Sequence, residues 1–235
     1  MDMNSTKIGK YTITYNNLKE FHILKSEIFG NNCYDIELDT DRPYIINVGA
    51  YIGISTIYFK NMYPNSKILA FEPNPYAREI LEKNIFINDL KDITVLPFAI
   101  DSSERKRNLF IDTSENIWQS TASFFQDSWN GKYHNDTSVE VETRKLSTYL
   151  KDTTVDLLKL DIEGMETKVL KEAKGGLKNV KNILVEYHPI EKENLKKLLN
   201  LLTSSNFKIS FYKDGKEMKN PSKNNLFIIK AQKTL

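Results

Sequence analysis

From Tyr44 onward the apolar residues fall into short unbroken runs that alternate with longer stretches of helical spacing. Tyr44 to Val48, Lys67 to Glu72, Ile93 to Pro97, Asp156 to Asp161 and Asn182 to Tyr187 read as buried strands, because a strand covered on both faces is apolar at nearly every position. Between them, Gly53 to Met62, Tyr76 to Asn88 and Met165 to Ala173 carry apolar residues three and four apart, as helices with one buried face do. Pro73-Asn74-Pro75 and Gly175-Gly176 supply the stops. Strand alternating with helix predicts βαβ units on a parallel sheet. A helix from Glu191 to about Leu202 and two strands, Phe207 to Tyr212 and Leu226 to Ala231, close the chain as a hairpin.

Residues 1–43 read as an N-terminal extension that packs on the main domain, residues 44–235. It holds a β-type run, Tyr11 to Tyr15, and a helical stretch from Phe21 to Phe29 before Gly30-Asn31-Asn32. The 101–138 stretch is less regular, with strand-like Asn108 to Ile111 and an aromatic and hydroxyl segment in which Ser120-Thr121-Ala122-Ser123 sits beside Trp118, Phe124 and Phe125. That segment suits either a pocket lining or a loop anchored by its rings. Val139 to Thr143 alternates like a strand with one wet face.

Charge narrows the partners. Thirty-three basic and 31 acidic residues leave a net +2, with no electrostatic footprint for nucleic acid. No run reaches the roughly 18 apolar residues of a membrane span and the start lacks a signal-peptide layout, so the expectation is a cytoplasmic protein. Cys33 is the single cysteine; it forms no internal disulfide and, with no Cys/His cluster nearby, no structural zinc site. It is read as a small buried apolar residue.

Chemistry collects at three strand ends. Gly49-Ala50-Tyr51-Ile52-Gly53 is a glycine-bearing turn into a helix, which suits close approach of a ligand to the backbone. Glu72 ends the next strand, where an acid accepts hydrogen bonds from the ribose of an adenosine cofactor. Lys159, Asp161 and Glu163 share a strand face, as do Glu186 and His188. Lys159 is expected either to pair with Glu186 or to serve the site. Asp161, Glu163, Glu186 and His188 then converge on one rim, fit for general-base work or for holding a divalent cation; their spacing matches no closed metal set, and metal is not favoured.

Taken together, Ile46 to Gly53, Ala70-Phe71-Glu72-Pro73-Asn74-Pro75, Leu158 to Gly164 and Val185-Glu186-Tyr187-His188-Pro189 resemble the FkbM family of S-adenosylmethionine-dependent methyltransferases, over about Glu27 to Pro189. The resemblance implies a class I methyltransferase (Rossmann-like) α/β fold: a seven-stranded sheet in the order 3-2-1-4-5-7-6 with the last strand antiparallel. It implies O-methylation of a hydroxyl on a sugar, glycan or other small molecule. Carried over, Gly49, Ala50, Tyr51 and Gly53 wrap the cofactor, Glu72 holds its ribose, Asn74 and Ala99 border the adenine, and Asp161 faces the methionine end. Asn47 stands where the family usually has Asp, which removes a negative charge near the cofactor. His188 is the leading base and Asp161 the second. A cation on Asp161 with Glu163 or Glu186 is the third route.

Two other classes stay open at this level: a nicotinamide-dependent oxidoreductase, whose first βαβ unit has the same turn and acid, and a non-catalytic module retaining the fold. The full Gly-x-Gly-x-x-Gly of the former is missing. An exposed edge in the terminal hairpin or the N-terminal strand would support a homodimer.

Overall fold

A computed structural model describes residues 3–111, 119–128, 133–134, 137–190 and 194–234. Trp118 and the expected helix start at Glu191 lie outside the described residues. The chain opens with an antiparallel hairpin, β1 (Asn4–Ile8) and β2 (Tyr11–Tyr15). Helix α1 (Leu18–Lys25) follows, capped by the Asn17 side chain, which accepts the Glu20 N–H at 3.1 Å. Its end widens into a π-turn, Ser26–Gly30. Then come β3 (Tyr44–Val48), α2 (Ile54–Met62), β4 (Lys67–Phe71), α3 (Pro75–Ile87) and β5 (Ile93–Leu96). Helix α3 begins where it does because Asn74 accepts the Tyr76 N–H at 3.1 Å and Pro75, with its preset φ, takes the first helical position.

The middle holds β6 (Ala99–Ile100), β7 (Lys106–Ile111), a 3-10 turn at Gln119–Thr121, and the short pair β8 (Asp127–Ser128) and β9 (Tyr133–His134). Strand β10 (Thr137–Arg144) pairs with β7 and β6 to form a three-stranded side sheet. A short α4 (Ser147–Leu150), β11 (Val155–Leu160), α5 (Glu166–Glu172) and β12 (Val180–Tyr187) continue the main domain. The end is α6 (Leu195–Ser204), β13 (Phe207–Lys213), β14 (Lys216–Met218) and β15 (Phe227–Lys233). Gly175-Gly176 sits inside a 3-10 turn, Lys174–Asn179, rather than at the helix end.

The main sheet runs β14-β13-β15-β12-β11-β3-β4-β5. Strands β12, β11, β3, β4 and β5 are parallel, and β15 lies antiparallel to both β12 and β13. The sheet has eight strands where seven were expected; the extra one, β14, is a three-residue strand on β13. Alternate residues feed opposite layers, as the two-residue period requires. Ile46, Leu158 and Leu160 join Val169, Leu170, Leu198 and Leu202 on one face. Ile45 and Leu157 join Ile57, Ile80 and Leu81 on the other. The segment before Tyr44 buries Ile13, Phe21, Ile28, Tyr34 and Ile36 in that second cluster, so it shares a core with the sheet.

Candidate active site

From β3 the chain moves to β4 and β5 on one side, and later to β11 and β12 on the other. The carboxyl ends of strands flanking such a reversal open a crevice, and here it deepens into a cavity of about 470 Å³. Gly49, Ala50, Tyr51, Glu72, Ala99, Asp161, Glu163, Glu186 and His188 all line it. Asn47, Gly53 and Asn74 do not, for reasons visible in their contacts.

Asn47 is fully buried on β3 and turns under α2, where its Nδ2 donates to Ser55 Oγ and Thr56 Oγ1, both at 3.0 Å. Its Oδ1 finds no partner among the described residues. The amide therefore bears on the start of α2 and adds nothing to the cavity wall. Gly53 has φ +92°, and a Cβ there would meet Leu81 Cδ1 at 2.7 Å, so it is held by packing against α3. Asn74 serves as the cap of α3.

Gly49 is required by a close approach of backbone. Its φ is +78°, and a Cβ would lie 1.8 Å from the Asp161 carbonyl oxygen, a contact no side chain tolerates. The Gly49 and Ala50 amides donate to Phe71 O at 3.1 and 3.0 Å. The loop after β3 is thus pinned between the ends of β4 and β11.

Glu72 lines the cavity beside that loop. One carboxylate oxygen accepts the Tyr51 N–H at 2.7 Å and the other the Asn74 N–H at 2.9 Å. Burial pushes its pKa up to about 7, against the pull of those two amides. Each oxygen keeps lone-pair capacity for a hydroxyl, which fits the ribose of an adenosine cofactor. Above it, Glu20 of α1 is buried, accepting from Tyr51 Oη at 2.6 Å and from the Ser120 N–H at 2.8 Å. The extension thereby clasps the glycine loop to the hydroxyl-rich segment, of which Ser120, Thr121, Ala122, Ser123 and Phe124 line the cavity.

The opposite end is a charged cluster. Lys159 does not pair with Glu186; its Nζ donates to Gly49 O at 2.7 Å and to Asp161 Oδ2 at 3.0 Å. The register explains this, since Lys159 stands opposite Leu184 on β12 and Asn47 on β3. Glu186 instead accepts from Tyr34 Oη at 2.7 Å. Burial, and then the Asp161 charge, raise the Glu186 pKa above the carboxylate range.

His188 is almost fully buried. Its Nδ1 is 2.9 Å from Glu166 Oε1, and its Nε2 lies 3.5 Å from Glu163 Oε1 and 3.7 Å from Asp161 Oδ1. Burial opposes its charge, but Glu163 and Glu166 outweigh that and lift its pKa well above 6.5. That direction favours the imidazolium, whose two ring nitrogens donate. Burial likewise raises Glu163, whose φ of +54° lies in the left-handed region. Asp161, Glu186 and His188 each bring a carboxylate oxygen or ring nitrogen within 4.8 Å of the others, but an imidazolium has no lone pair to give a metal. The Lys159 and His188 charges already meet those carboxylates.

Sequence reasoning missed Tyr34, Glu166 and Glu20. Glu166 had one available signal, an acid in the first turn of a helix three residues after Glu163, where it accepts the Ile162 and Gly164 N–H groups at 3.2 Å each. Cys33 also lines the cavity, half-buried, and burial raises its thiol pKa, which makes it a poor nucleophile.

Residues 47–209 match the family model described as the methyltransferase FkbM domain. The methyltransferase sdnD of Sordaria araneosa is 30% identical over 200 residues, 71% of this chain and 74% of that protein. The 2-O-methyltransferase NoeI of Sinorhizobium fredii is 24% identical over 183 residues, again 71% of this chain and 74% of its own length. Among solved structures, the methyltransferase FkbM of Methylobacillus flagellatus superposes with a TM-score of 0.56 at 14% identity, covering 88% of this chain and 47% of that one. The chain thus spans about half the length of that structure.

Proposed function

The chain belongs to the FkbM methyltransferase family, and we propose that it transfers the methyl group of S-adenosylmethionine to a hydroxyl oxygen of a sugar, glycan or other small polyhydroxyl molecule. Membership in that family displaces the nicotinamide oxidoreductase alternative. The observation that carries the proposal is that one cavity has Glu72 and the glycine loop at one end and the Asp161–Glu186–His188 group at the other. A volume of about 470 Å³ lies within the range of small-molecule sites. The 2-O-methyltransferase among its relatives supports oxygen as the acceptor atom.

When bound, S-adenosylmethionine supplies a methyl group on a positively charged sulfur that departs as a neutral thioether while the carbon–oxygen bond forms. The chain's own residues do the rest. Glu72 accepts hydrogen bonds from the ribose hydroxyls, and Asp161, held by Lys159, faces the positive methionine end. Glu186 takes the acceptor's hydroxyl proton, since a neutral hydroxyl is a poor nucleophile and a carboxylate shifted toward neutrality is a better-matched base. In this reading His188 supplies the positive charge that meets Glu163, Glu166 and Asp161, in place of the base expected of it. Closure by the Glu20 clasp excludes water and fixes the reactants.

The test is methylation of a panel of mono- and oligosaccharides and other polyols with a methyl-labelled donor, the labelled position then being located by NMR. Label on oxygen, lost in Glu186→Gln with donor binding retained, supports the proposal. Label on carbon or nitrogen contradicts it.

A further inference from the structure

Tyr34 lies outside residues 47–209, the stretch matched by the family domain, yet it reaches the middle of the charged cluster. Its hydroxyl donates to Glu186 Oε2 at 2.7 Å and stands 3.5 Å from Asp161 Oδ2. Its ring is buried, lines the cavity, packs on Phe59 at 6.1 Å between centroids and receives Lys159 Nζ at 5.5 Å from its centre. Among the described residues the hydroxyl meets only those two carboxylates, and phenylalanine would fill the same space. A buried phenol aimed at a carboxylate needs another reason.

We propose that Tyr34 is a positioning residue for methyl transfer, contributed by the N-terminal segment, whose hydroxyl occupies one oxygen of Glu186 so that the other faces the acceptor as an ionised base. The proposal rests on the assignment of Glu186 as that base. Burial, and then Glu186 and Asp161, hold the phenol pKa well above 10, so it stays a donor throughout the working range. A hydrogen bond given to a carboxylate favours its charged form. Other groups bear on Glu186 as well. Asp161 at the end of β11 and Glu163 in the loop before α5 disfavour its charge; Lys159 of β11 and His188 after β12 favour it; Cys33 stands beside Tyr34. From β15 the residue opposite Glu186 is the apolar Ile228. Tyr34 adds to these a direction as well as a proton.

The experiment follows the Glu186 carboxyl directly. Protein labelled with [5-13C]glutamate is titrated by NMR, with Glu186→Gln identifying the resonance, and compared with Tyr34→Phe. The expected result is a titration midpoint about one unit higher in Tyr34→Phe, with S-adenosylmethionine binding by calorimetry within about twofold of the parent. In the methylation assay the acidic limb should move equally, giving roughly tenfold slower turnover at pH 6 and near-parental turnover at pH 9. An unmoved midpoint, or an equal loss of rate at every pH, overturns the proposal. Should Tyr34→Phe fail to fold, parent protein made with 3-fluorotyrosine, a stronger donor, should titrate at lower pH, and no movement overturns the proposal. Absence of donor binding in the parent would instead sink the transferase reading, while the NMR comparison would still judge Tyr34.

Discussion

The Glu72 carboxylate accepts the Tyr51 backbone N–H at 2.7 Å, tying the end of β4 to the loop that follows β3. One side chain therefore shapes the glycine loop and, in the proposed function, offers the acceptor oxygens for a ribose. Because burial holds its pKa at about 7, its ionisation falls within the working pH range. Donor affinity should be roughly tenfold weaker at pH 6 than at pH 8. Calorimetric titrations at the two pH values check this, and Glu72→Gln should bind weakly at both, with that dependence removed.

Gly49 marks the closest approach between the loop and β11. Gly49→Ala should cost more than about 2 kcal/mol, since it combines a disfavoured φ with a clash against the Asp161 carbonyl. Denaturant unfolding measures the loss. A variant as stable as the parent would show that the two strand ends are not pinned as described.

His188 is an ion-pair partner in this account, so its removal should be felt in stability as well as in rate. His188→Gln removes the ion-pair and hydrogen-bond partner of the buried Glu166 and should cost about 3 kcal/mol at pH 6. A histidine with a raised folded pKa contributes stability that is complete below its unfolded value, near 6.5, and lost as pH rises through the folded value. The gap between parent and variant should therefore persist through neutrality and narrow only in alkali. Unfolding curves from pH 6 to 10 read it; a gap that closes by pH 7 would contradict the imidazolium.

Glu20 joins α1 to Tyr51 and Ser120. Glu20→Ala should lose about 2 kcal/mol of stability and open the cavity, so that the Ser120 amide exchanges faster with deuterium and the donor dissociates sooner. Stopped-flow release of the donor and hydrogen exchange are the paired measurements.

Much of this frame was legible in the chain because β3, β4, β11 and β12 are buried strands bounded by turn residues, and their alternation puts Asp161, Glu186 and His188 at related positions. Strand β1 and strand β14 escaped notice because Asn4–Ile8 and Lys216–Met218 are largely polar and exposed, with no run of apolar residues to announce them. At the site, parity placed residues on a face without giving depth. Asn47 stands beside Lys159 in register, yet it turns under α2 while Lys159 reaches the Gly49 carbonyl. Likewise the charge on His188 depends on Glu166, and the orientation of Glu186 on Tyr34, both brought in from other elements by the packing. A pair formed 152 residues apart, as Tyr34 and Glu186 are, leaves no local pattern.

The central claim is that Glu72 and the glycine loop hold S-adenosylmethionine. Calorimetric titration of the purified protein with S-adenosylmethionine, with NADH in parallel and Glu72→Ala as control, tests it most directly. The account predicts saturable binding of the methyl donor, none of NADH, and loss of the donor in the control. Binding that survives Glu72→Ala, or no binding to the parent, would contradict it.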